Sequence, residues 1–292
     1  MKKEDLLSPG ISACVGCIVE SSLRLALKVL GRNTVLAIPP GCMGGTGVVG
    51  WENTMGTKIP VFFPLFPNTA SMLSGIAAAY EYQGKKINVV GFVGDGGTAD
   101  IGLQALSGAV ERNSDIIYIC YDNEGYMNTG MQRSSTTSYG AWTSTTPLGK
   151  KGKGKTQKRK DMAMIMAAHD MPYVATASPA FPLDYTKKIE KAMKLKPSYI
   201  HILNPCLTGW KYPSEKAIEV AKLSVQSCAW PLYEIENGTL KITHKPGKIR
   251  PIKEYVETQG RFKHLTEEEI EEYQNDVNRK WIRLLNLENI PA

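Results

Sequence analysis

Gly94-Asp95-Gly96 and Asn123 are separated by 26 residues and could together hold a diphosphate through Mg²⁺. Glycines let a backbone approach a diphosphate closely, because they carry no Cβ atom. Asp95 would supply a carboxylate oxygen and Asn123 an amide oxygen, and oxygen atoms are the ligands that Mg²⁺ prefers. A backbone carbonyl near Gly125 and two phosphate oxygens would add three further oxygen ligands to an octahedral site. The spacing therefore predicts a magnesium diphosphate site.

The same spacing resembles the thiamine diphosphate motif, in which GDG is followed after about 26 residues by Asn. GDG alone is a common turn, so the informative signal is the spacing together with a predicted strand before each half. The usual motif has paired Asn residues, whereas Asp122 precedes Asn123 here. The pattern favours thiamine diphosphate as the cofactor.

Four of the six cysteines lie at the ends of predicted elements and could converge on one edge of a sheet. Cys14 and Cys17 form a CVGC sequence at a predicted helix start, where the helix dipole favours thiolate. Cys42 follows a Pro-Pro-Gly turn after the first predicted strand, and Cys206 follows the last one. Four convergent thiolates suit a [4Fe–4S] cluster or a structural Zn²⁺, and spacing alone does not separate the two.

Helix and strand patterns alternate through most of the chain, as in an α/β protein with a parallel sheet. The apolar run 87–93 is typical of a central strand covered on both faces and ends at GDG. The next strand ends just before Asn123, and open α/β sheets bind ligands at such carboxyl ends. The predicted strands are 34–38, 87–93, 115–121, 173–176 and 199–203, and the predicted helices are 14–30, 71–83, 101–111, 162–169 and 183–195.

Two further regions complete the expected organisation. Residues 127–160 are rich in Thr, Ser, Gly and Lys without a period, which predicts a long functional loop. Thr266 and Glu269 form a capping box that opens a C-terminal helix. The simplest arrangement is one α/β domain over residues 1–216, with the diphosphate site and the cysteines, and a C-terminal extension over residues 217–292 that packs on the domain or on partner subunits.

Composition excludes several classes of protein. A chain of 292 residues with 42% apolar residues can bury a substantial core, and its 27 Gly and 17 Pro are spread out, unlike those of disordered or collagen-like chains. No apolar run approaches the roughly twenty residues of a membrane span. The N-terminus leads into no apolar signal region, so a cytoplasmic location is expected. In that reducing compartment Cys120 and Cys228 are predicted to be ordinary buried thiols.

The net charge of +7 raises the question of nucleic-acid binding. Seven basic residues and no acidic residue lie between Lys150 and Lys160, so the rest of the chain is neutral. This segment has no aromatic side chain to stack on a base, and nucleic-acid binding is not expected. A solvated loop is favoured, and contact with coenzyme A, an acidic ferredoxin or a partner subunit stays open.

Taken together, the thiamine motif and the cysteine pattern resemble the β subunit of 2-oxoacid:ferredoxin oxidoreductases, the pyruvate enzyme above all. The resemblance is strongest from Gly94 to Lys150 and continues through 172–178, Cys206–Trp210 and 260–264. It implies the thiamine-diphosphate-binding fold, a parallel sheet with helices on both faces. It also implies an enzyme of anaerobic metabolism that converts pyruvate to acetyl-CoA and CO₂ and passes electrons to ferredoxin, or catalyses the reverse synthesis.

The resemblance also implies the roles of individual residues. Asn128 is the implied catalytic residue and faces the reacting carbon. The implied ligands of a [4Fe–4S] cluster near the thiamine are Cys14, Cys17, Cys42 and Cys206. The implied Mg²⁺ ligands are Asp95, Asn123 and the carbonyl of Gly125. The implied cofactor-binding residues are Gly94, Asp95, Gly96, Gly97, Asn123, Gly125, Asn128 and Thr129.

In the implied reaction, the thiamine ylide adds to a 2-oxoacid, CO₂ leaves, the enamine is oxidised in one-electron steps through the cluster, and coenzyme A takes the acyl group. Ylide formation needs a Glu from a pyrimidine-binding domain that we do not find, so an α subunit should supply it. Further clusters should lie on a δ-type subunit, with a γ-type subunit completing the hetero-oligomer. None of the four histidines is needed as a base; His169, on an apolar helix, is predicted to be packed and hydrogen-bonded.

Three departures from the common family pattern bear on the substrate. Ile18 follows Cys17 where Gly is common, Phe66-Pro67-Asn68 replaces Phe-Glu-Asn, and Met43-Gly44-Gly45 replaces Met-Glu-Val. Pyruvate is the predicted substrate, while 2-oxoisovalerate, 2-oxoglutarate and oxalate, the direction of the reaction and the subunit stoichiometry stay open. A non-catalytic zinc or iron–sulfur scaffold stays open as an alternative. A non-redox thiamine enzyme is not favoured, because it would need its own pyrimidine domain and no cysteine quartet, and the sequence contradicts both requirements.

Overall fold

The computed structural model describes residues 4–47, 56–149 and 152–289 of the chain. These residues form one eight-stranded sheet with helices on both faces. The strands are β1 (Thr34–Ala37), β2 (Val61–Phe62), β3 (Asn88–Gly94), β4 (Ile117–Asp122), β5 (Tyr173–Ala177), β6 (Ser198–Leu203), β7 (Leu232–Glu236) and β8 (Thr239–His244). The helices are α1 (Ile18–Leu30), α2 (Thr69–Tyr82), α3 (Asp95–Ala99), α4 (Leu103–Glu111), α5 (Met162–Ala167), α6 (Pro182–Ala192), α7 (Leu207–Trp210), α8 (Ala217–Gln226), α9 (Ile252–Glu257) and α10 (Glu267–Glu288).

The strand order is β2-β1-β3-β4-β6-β5-β7-β8. The first six strands of this order are parallel, which confirms the predicted parallel sheet. In contrast, β7 pairs antiparallel with β5 and with β8, an edge hairpin that the sequence analysis missed. Asn237 and Gly238 join the hairpin strands with positive φ angles of 46° and 84°, and Asn-Gly is the strongest short hairpin signal a sequence offers.

Side chains of the central strands alternate between two hydrophobic cores. In β3, Val89 and Val93 face a core that includes residues of α2, α4 and α5, whereas Val90 and Phe92 face a core that includes residues of α1 and α6. This double coverage explains the nearly continuous apolar run that predicted the strand. It also confirms the expected helices on both faces of the sheet.

Several predicted boundaries shift by a few residues. Helix α1 begins at Ile18 and not at Cys14, because residues up to Cys17 form turns ahead of it. The capping box is confirmed: the backbone N–H of Thr266 donates to the Glu269 carboxylate at 2.9 Å, and that of Glu269 donates to the Thr266 hydroxyl at 3.2 Å. Within 127–149 and 152–160 the described chain has no helix or strand, as predicted.

The basic segment differs from the expected solvated loop. Lys155 is buried and donates to the backbone carbonyls of Ser135 and Thr137. Burial lowers the pKa of Lys155 to about 8. Arg159 is also turned inward, whereas Lys158 stays largely exposed. The expected solvated loop is therefore wrong for Lys155 and Arg159. Lys150 and Lys151 lie outside the described residues.

The C-terminal part of the chain is built into the same sheet through β7 and β8. Helix α10 packs against α9 and β8 and covers this added edge. The division into residues 1–216 and 217–292 stays a prediction. No helix in the described part of the chain combines the length and apolarity needed to span a membrane.

Candidate active site

The candidate site lies where β3 and β4 end side by side. The two strands are parallel, with Gly94 paired with Tyr121, so GDG and Asn123 meet at one carboxyl edge. Asp95 begins α3, which means that the GDG turn is the junction between a strand and a short helix. Asp95 and Asn123 are both buried. As the spacing predicted, GDG and Asn123 follow two neighbouring parallel strands.

Three groups with oxygen atoms converge at this edge. One terminal atom of the Asn123 amide lies 3.1 Å from Asp95 Oδ1 and 2.9 Å from the carbonyl oxygen of Gly125. As nitrogen, this atom would donate a hydrogen bond to each; as oxygen, it forms a set of three mutually facing acceptors. Mg²⁺–oxygen bonds of 2.0–2.1 Å place neighbouring octahedral ligands about 2.9 Å apart. The distances from the Asn123 atom to Asp95 Oδ1 and to the Gly125 carbonyl oxygen therefore match those between neighbouring magnesium ligands.

The other carboxylate oxygen of Asp95 is held by the long loop. Ser134 Oγ donates to Asp95 Oδ2 at 2.5 Å, and Thr136 Oγ1 donates to it at 2.7 Å. Burial and the nearby Asp122 carboxylate nevertheless raise the pKa of Asp95 well above its usual value. A bound divalent cation would counter this shift, because an opposite charge favours the ionised carboxylate.

Tyr126 packs against the predicted diphosphate glycines. A Cβ atom on Gly96 would lie 2.4 Å from the Tyr126 ring, so this position has no room for a side chain. The Tyr126 hydroxyl donates to the Gly96 carbonyl at 3.1 Å and to Asp100 Oδ2 at 3.0 Å. The need for glycine at position 96 thus comes from this ring, a reason that the motif alone does not give.

Predicted residues Asn128 and Thr129 lie at the rim of the same cleft. Both are exposed, and both line the cleft together with Asp95, Asn123 and Gly125. The cleft measures about 70 Å³. Ligand pockets usually measure about 300–1,000 Å³, so the described residues of this chain enclose only part of a cofactor-sized molecule.

The four predicted cysteine ligands belong to three segments near this edge. Cys17 is the N-cap residue of α1, and Cys206 caps α7 by accepting from the Gly209 N–H at 3.3 Å. Cys42 lies after β1, and its Sγ atom accepts a contact of 3.6 Å from Asn123 Nδ2. Of the four cysteines, Cys42 is thus the one with a contact to the oxygen-bearing groups of the described chain.

Electrostatics link the thiols to one another. Burial raises the pKa of Cys17 and of Cys206, and it raises that of Cys42 to about 12. Smaller contributions in the same direction come from the neighbouring thiols: Cys206 acts on both Cys17 and Cys42, and Cys14 acts on both Cys17 and Cys206. Bound iron or zinc would favour the thiolate forms.

The thiols do not form a finished metal site as they stand. Across residues 4–47, 56–149 and 152–289, no three Cys, His, Asp or Glu side chains are gathered closely enough to hold a single metal ion. Cys14 is exposed, and Cys120 and Cys228 are buried away in the core, as expected for thiols without a ligand role.

Residues that the sequence analysis did not single out surround Asn123. Arg159 lies between the carboxylates of Asp122 and Glu124, at 2.7 Å and 3.1 Å. Arg261 contacts the second oxygen of Glu124 at 2.8 Å. A useful signal was present in the sequence, because two carboxylates that flank a predicted, buried ligand residue require cationic partners from elsewhere in the chain.

Trp210 connects the cysteine side of the site to the thiamine motif. Its indole N–H donates to the backbone carbonyl of Asn123 at 2.9 Å, and it ends the short helix that Cys206 caps. The Arg261 guanidinium lies 3.7 Å above the Trp210 ring. Trp210 therefore links the helix that Cys206 caps to the backbone of Asn123.

Two histidines have clear structural partners. His169 contacts Ser107 Oγ and the carbonyl of Ile165, each at 2.8 Å, which confirms the predicted packed, hydrogen-bonded residue. His201 Nε2 lies 2.9 Å from Asp122 Oδ2. Neither residue lines the cleft.

Comparisons with known proteins agree with this geometry. Residues 50–202 match the family "Thiamine pyrophosphate enzyme, C-terminal TPP binding domain". The chain is 47% identical to the pyruvate synthase subunit PorB of Methanocaldococcus jannaschii, over 98% of both chains. It is 46% identical to the ketoisovalerate oxidoreductase subunit VorB of Pyrococcus abyssi, over 98% of this chain and 94% of that one.

A solved structure supports the fold. The 2-oxoglutarate:ferredoxin oxidoreductase from Magnetococcus marinus superposes with a TM-score of 0.60 at 20% identity, covering 76% of this chain and 80% of that chain. At this identity the similarity concerns the fold alone.

Proposed function

The chain belongs to the β-subunit family of 2-oxoacid:ferredoxin oxidoreductases that includes the pyruvate synthase subunit PorB, and from that premise we propose its cofactors, substrate and partners. With partner subunits it converts pyruvate, coenzyme A and oxidised ferredoxin to acetyl-CoA, CO₂ and reduced ferredoxin, or catalyses the reverse. It binds thiamine diphosphate through Mg²⁺, and it also binds one [4Fe–4S] cluster. The reducing cytoplasm is the proposed location.

The observation that carries the proposal is the convergence of Asp95, Asn123 and the Gly125 carbonyl at 2.9–3.1 Å. These are the proposed magnesium ligands, and two diphosphate oxygens would add to the same octahedral shell. Gly94, Gly96 and Gly97 form the adjoining backbone. Thiamine diphosphate supplies a carbon centre that stabilises the negative charge left when a 2-oxoacid loses CO₂.

Cys14, Cys17, Cys42 and Cys206 are the proposed cluster ligands. The contact between Cys42 and Asn123 supports a cluster beside the cofactor, where single electrons have a short path. Four thiols at one edge are the donor set that [4Fe–4S] clusters use. The raised pKa values of Cys17, Cys42 and Cys206 are those of thiols that have no metal to stabilise the thiolate.

Asn128 is proposed to act at the reacting carbon, and Thr129 is proposed to help bind the cofactor. Both are exposed at the rim of the cleft, within the range of groups that line it. Asn128 is the proposed catalytic residue, because its amide can donate a hydrogen bond to a reacting carbonyl oxygen. Thr129 is held by its contact with Gln132 Oε1 at 2.5 Å, which would keep this short segment in place.

The small cleft supports a site completed by other subunits. We propose an α subunit that covers the open side and provides the Glu for the pyrimidine ring. A δ-type subunit with further [4Fe–4S] clusters would pass electrons to ferredoxin, and a γ-type subunit would complete the assembly. Coenzyme A reaches the same site. Among the described residues of the basic segment, Lys153 and Lys158 are exposed and available to attract it.

A branched 2-oxoacid is the second candidate substrate. The identities to the PorB and VorB relatives are 47% and 46%, and this near tie favours testing 2-oxoisovalerate beside pyruvate. Gly44, next to the Cys42 turn, and Pro67, near the cleft residue Phe66, depart from the common family pattern. We propose that residues at these two positions distinguish 2-oxoacids with smaller acyl groups from those with larger ones.

The decisive experiment is anaerobic purification of the chain with its co-purifying subunits. We expect one thiamine diphosphate per chain and an iron–sulfur absorbance that is bleached by a 2-oxoacid with coenzyme A. Viologen reduction is then compared for pyruvate, 2-oxoisovalerate, 2-oxoglutarate and oxalate. Pyruvate should give the highest kcat/KM.

Other outcomes would change the assignment. A higher kcat/KM for 2-oxoisovalerate would replace the substrate and keep the enzyme class. A colourless complex that contains zinc and binds no thiamine diphosphate would contradict the proposal and favour a scaffold. A complex with thiamine diphosphate but no iron would contradict all of the proposed iron–sulfur clusters and leave only the thiamine-dependent part of the proposal.

A further inference from the structure

The two carboxylates that flank Asn123 are almost fully buried and are not proposed to bind the metal. Asp122 has a side-chain exposure of 0% and Glu124 of 1%. Burying ionised carboxylates is costly unless each is paired and hydrogen-bonded. Two such groups next to a metal-ligand residue therefore require a built arrangement of donors.

One guanidinium meets this requirement for both carboxylates. Arg159 Nη2 lies 2.7 Å from Asp122 Oδ2, and Arg159 Nη1 lies 3.1 Å from Glu124 Oε1. Arg159 is only 16% exposed, and its guanidinium stacks 4.7 Å from the centre of the Trp230 ring. The planar fork of arginine suits this bridge, whereas the single ammonium group of lysine does not reach two separate carboxylates in the same geometry.

Other groups also contact the two carboxylates. His201 Nε2 contacts Asp122 Oδ2 at 2.9 Å, and Arg261 Nη1 contacts Glu124 Oε2 at 2.8 Å. The backbone N–H of Ser138 donates to Glu124 Oε2 at 3.1 Å. With these partners both flanking side chains are fixed, and neither of them lines the cleft.

The turn between the two carboxylates determines where the proposed metal ligands point. Glu124 has a φ of 61°, in the left-handed region that is uncommon for a residue with a side chain. Its N–H donates to Asp122 Oδ1 at 2.8 Å, and its carbonyl accepts from Thr137 Oγ1 at 2.7 Å. This backbone reversal brings the Gly125 carbonyl to 2.9 Å from the Asn123 amide.

We propose that Arg159 is a positioning residue for the magnesium site: by bridging Asp122 and Glu124 it keeps the left-handed turn closed and so holds Asn123 and the Gly125 carbonyl in register with Asp95. Arg261 supports the same turn through Glu124 alone. The inference rests on the proposed function, because it concerns Mg²⁺-dependent binding of thiamine diphosphate. It also gives Arg159, which belongs to the basic segment, a role other than attracting an anionic partner.

The test measures the magnesium requirement for cofactor binding and not turnover. Purified complex is stripped with a chelator and dialysed against thiamine diphosphate over a range of Mg²⁺ concentrations, and bound cofactor is quantified by chromatography. Loss of groups that orient metal ligands usually weakens metal affinity about 10- to 100-fold. We expect Arg159→Met to raise the half-saturating Mg²⁺ concentration by at least about tenfold, and Arg159→Lys and Arg261→Lys to raise it about two- to fivefold.

Lys158→Met is the matched control. Lys158 is the preceding residue, is 62% exposed and pairs with Asp276 outside the site. Its loss should leave the magnesium requirement unchanged. A basic segment that acts only by attracting anions would give similar shifts in the variants of Lys158 and Arg159, and that result would overturn the proposal.

Iron content and thermal stability separate positioning from general damage. A merely structural role would lower the melting temperature of Arg159→Met and leave its magnesium requirement at the wild-type value, which also overturns the proposal. If Arg159→Met does not assemble, Arg159→Lys decides, since a magnesium requirement equal to wild type in that variant contradicts the inference. A wild-type complex that binds no thiamine diphosphate at any Mg²⁺ concentration refutes the proposed function instead.

Discussion

The oxygen side and the thiol side of the candidate site are organised differently. Asp95 and Asn123 are buried, and Asp95 is held by hydroxyl groups of Ser134 and Thr136. The cysteines lie on turns and helix starts, and Cys14 is exposed. The oxygen side is thus shaped by the folded chain, whereas the thiol side offers donors that still have to be drawn together.

The difference has a physical origin. Hard oxygen ligands of Mg²⁺ hold it weakly one by one, so a useful site must be rigid before the ion arrives. Thiolate–iron bonds are strong enough to order the segments that carry them, because binding free energy can be spent on folding. The comparison predicts that substitutions on the oxygen side change affinity for an otherwise formed site, while substitutions on the thiol side change whether a site forms.

The largest effect is expected for Asp95→Ala. This change removes a proposed Mg²⁺ ligand and leaves Ser134 and Thr136 without their acceptor, so thiamine diphosphate binding should be lost and activity should fall at least about a hundredfold. Iron content should stay at the wild-type level. Cofactor analysis and iron determination on the same sample check both halves of this expectation. Loss of iron together with thiamine diphosphate would show that the two sides are not independent.

The reverse separation is expected for Cys14→Ser. The cluster should be lost or degraded, and reduction of ferredoxin should fall about as far, since a hydroxyl is a poor iron ligand. Thiamine diphosphate affinity should change by less than about twofold. Visible absorbance and equilibrium dialysis are the measurements. Cys228→Ser is the matched control because Cys228 is buried in the core; a cluster retained in Cys14→Ser would remove Cys14 from the ligand set.

Trp210→Phe tests the connection between the two sides. The change removes the indole N–H that donates to the Asn123 carbonyl and keeps an aromatic ring beneath Arg261. A lost hydrogen bond of about 1 kcal/mol corresponds to roughly fivefold weaker thiamine diphosphate binding. The measurement is cofactor dialysis, with Trp281→Phe, a substitution on α10, as the control. An effect of equal size in both variants would point to general loosening.

The smallest effect concerns Asp276, which pairs with the exposed Lys158 of the basic segment. Burial would raise the pKa of Asp276, but Lys158 and Lys280 lower it to about 2. Because the folded-state pKa lies below the usual value of about 4, the stabilisation is present above pH 4 and lost as the pH falls towards 2. These cations are exposed, so Asp276→Asn should cost only about 1 kcal/mol at pH 7. Denaturant titrations at pH 7 and at pH 3 measure the difference, and a cost that does not shrink in acid would exclude the ion pairs as its cause.

The sequence predicted the parts of the molecule whose signals are local. The apolar run before GDG identified β3, and the spacing to Asn123 identified two neighbouring strand ends, because a parallel βαβ unit constrains both. The capping box of Thr266 and Glu269 located the start of α10, because its two residues are only three positions apart in the sequence. Site roles inferred from the family resemblance, such as that of Asn128, stay predictions.

Long-range pairings were beyond the sequence. Arg159 lies 35 residues from Glu124, and Arg261 lies 137 residues from it, and nothing near either arginine identifies that partner. A run of lysines suggests solvent, yet Lys155 finds two backbone carbonyls inside the fold. The β7–β8 hairpin is a different case, since Asn237-Gly238 offered a local signal that was overlooked.

The shallow cleft has a consequence for assembly. A cofactor bound between this chain and a covering subunit contributes to the affinity of both, and thermodynamic linkage makes the effect reciprocal. On the proposed function, each factor by which thiamine diphosphate tightens subunit association is the factor by which the covering subunit tightens thiamine diphosphate binding. Starving a cell of thiamine would therefore disassemble the enzyme as well as silence it, and the free energy that holds the complex together would rise and fall with vitamin supply.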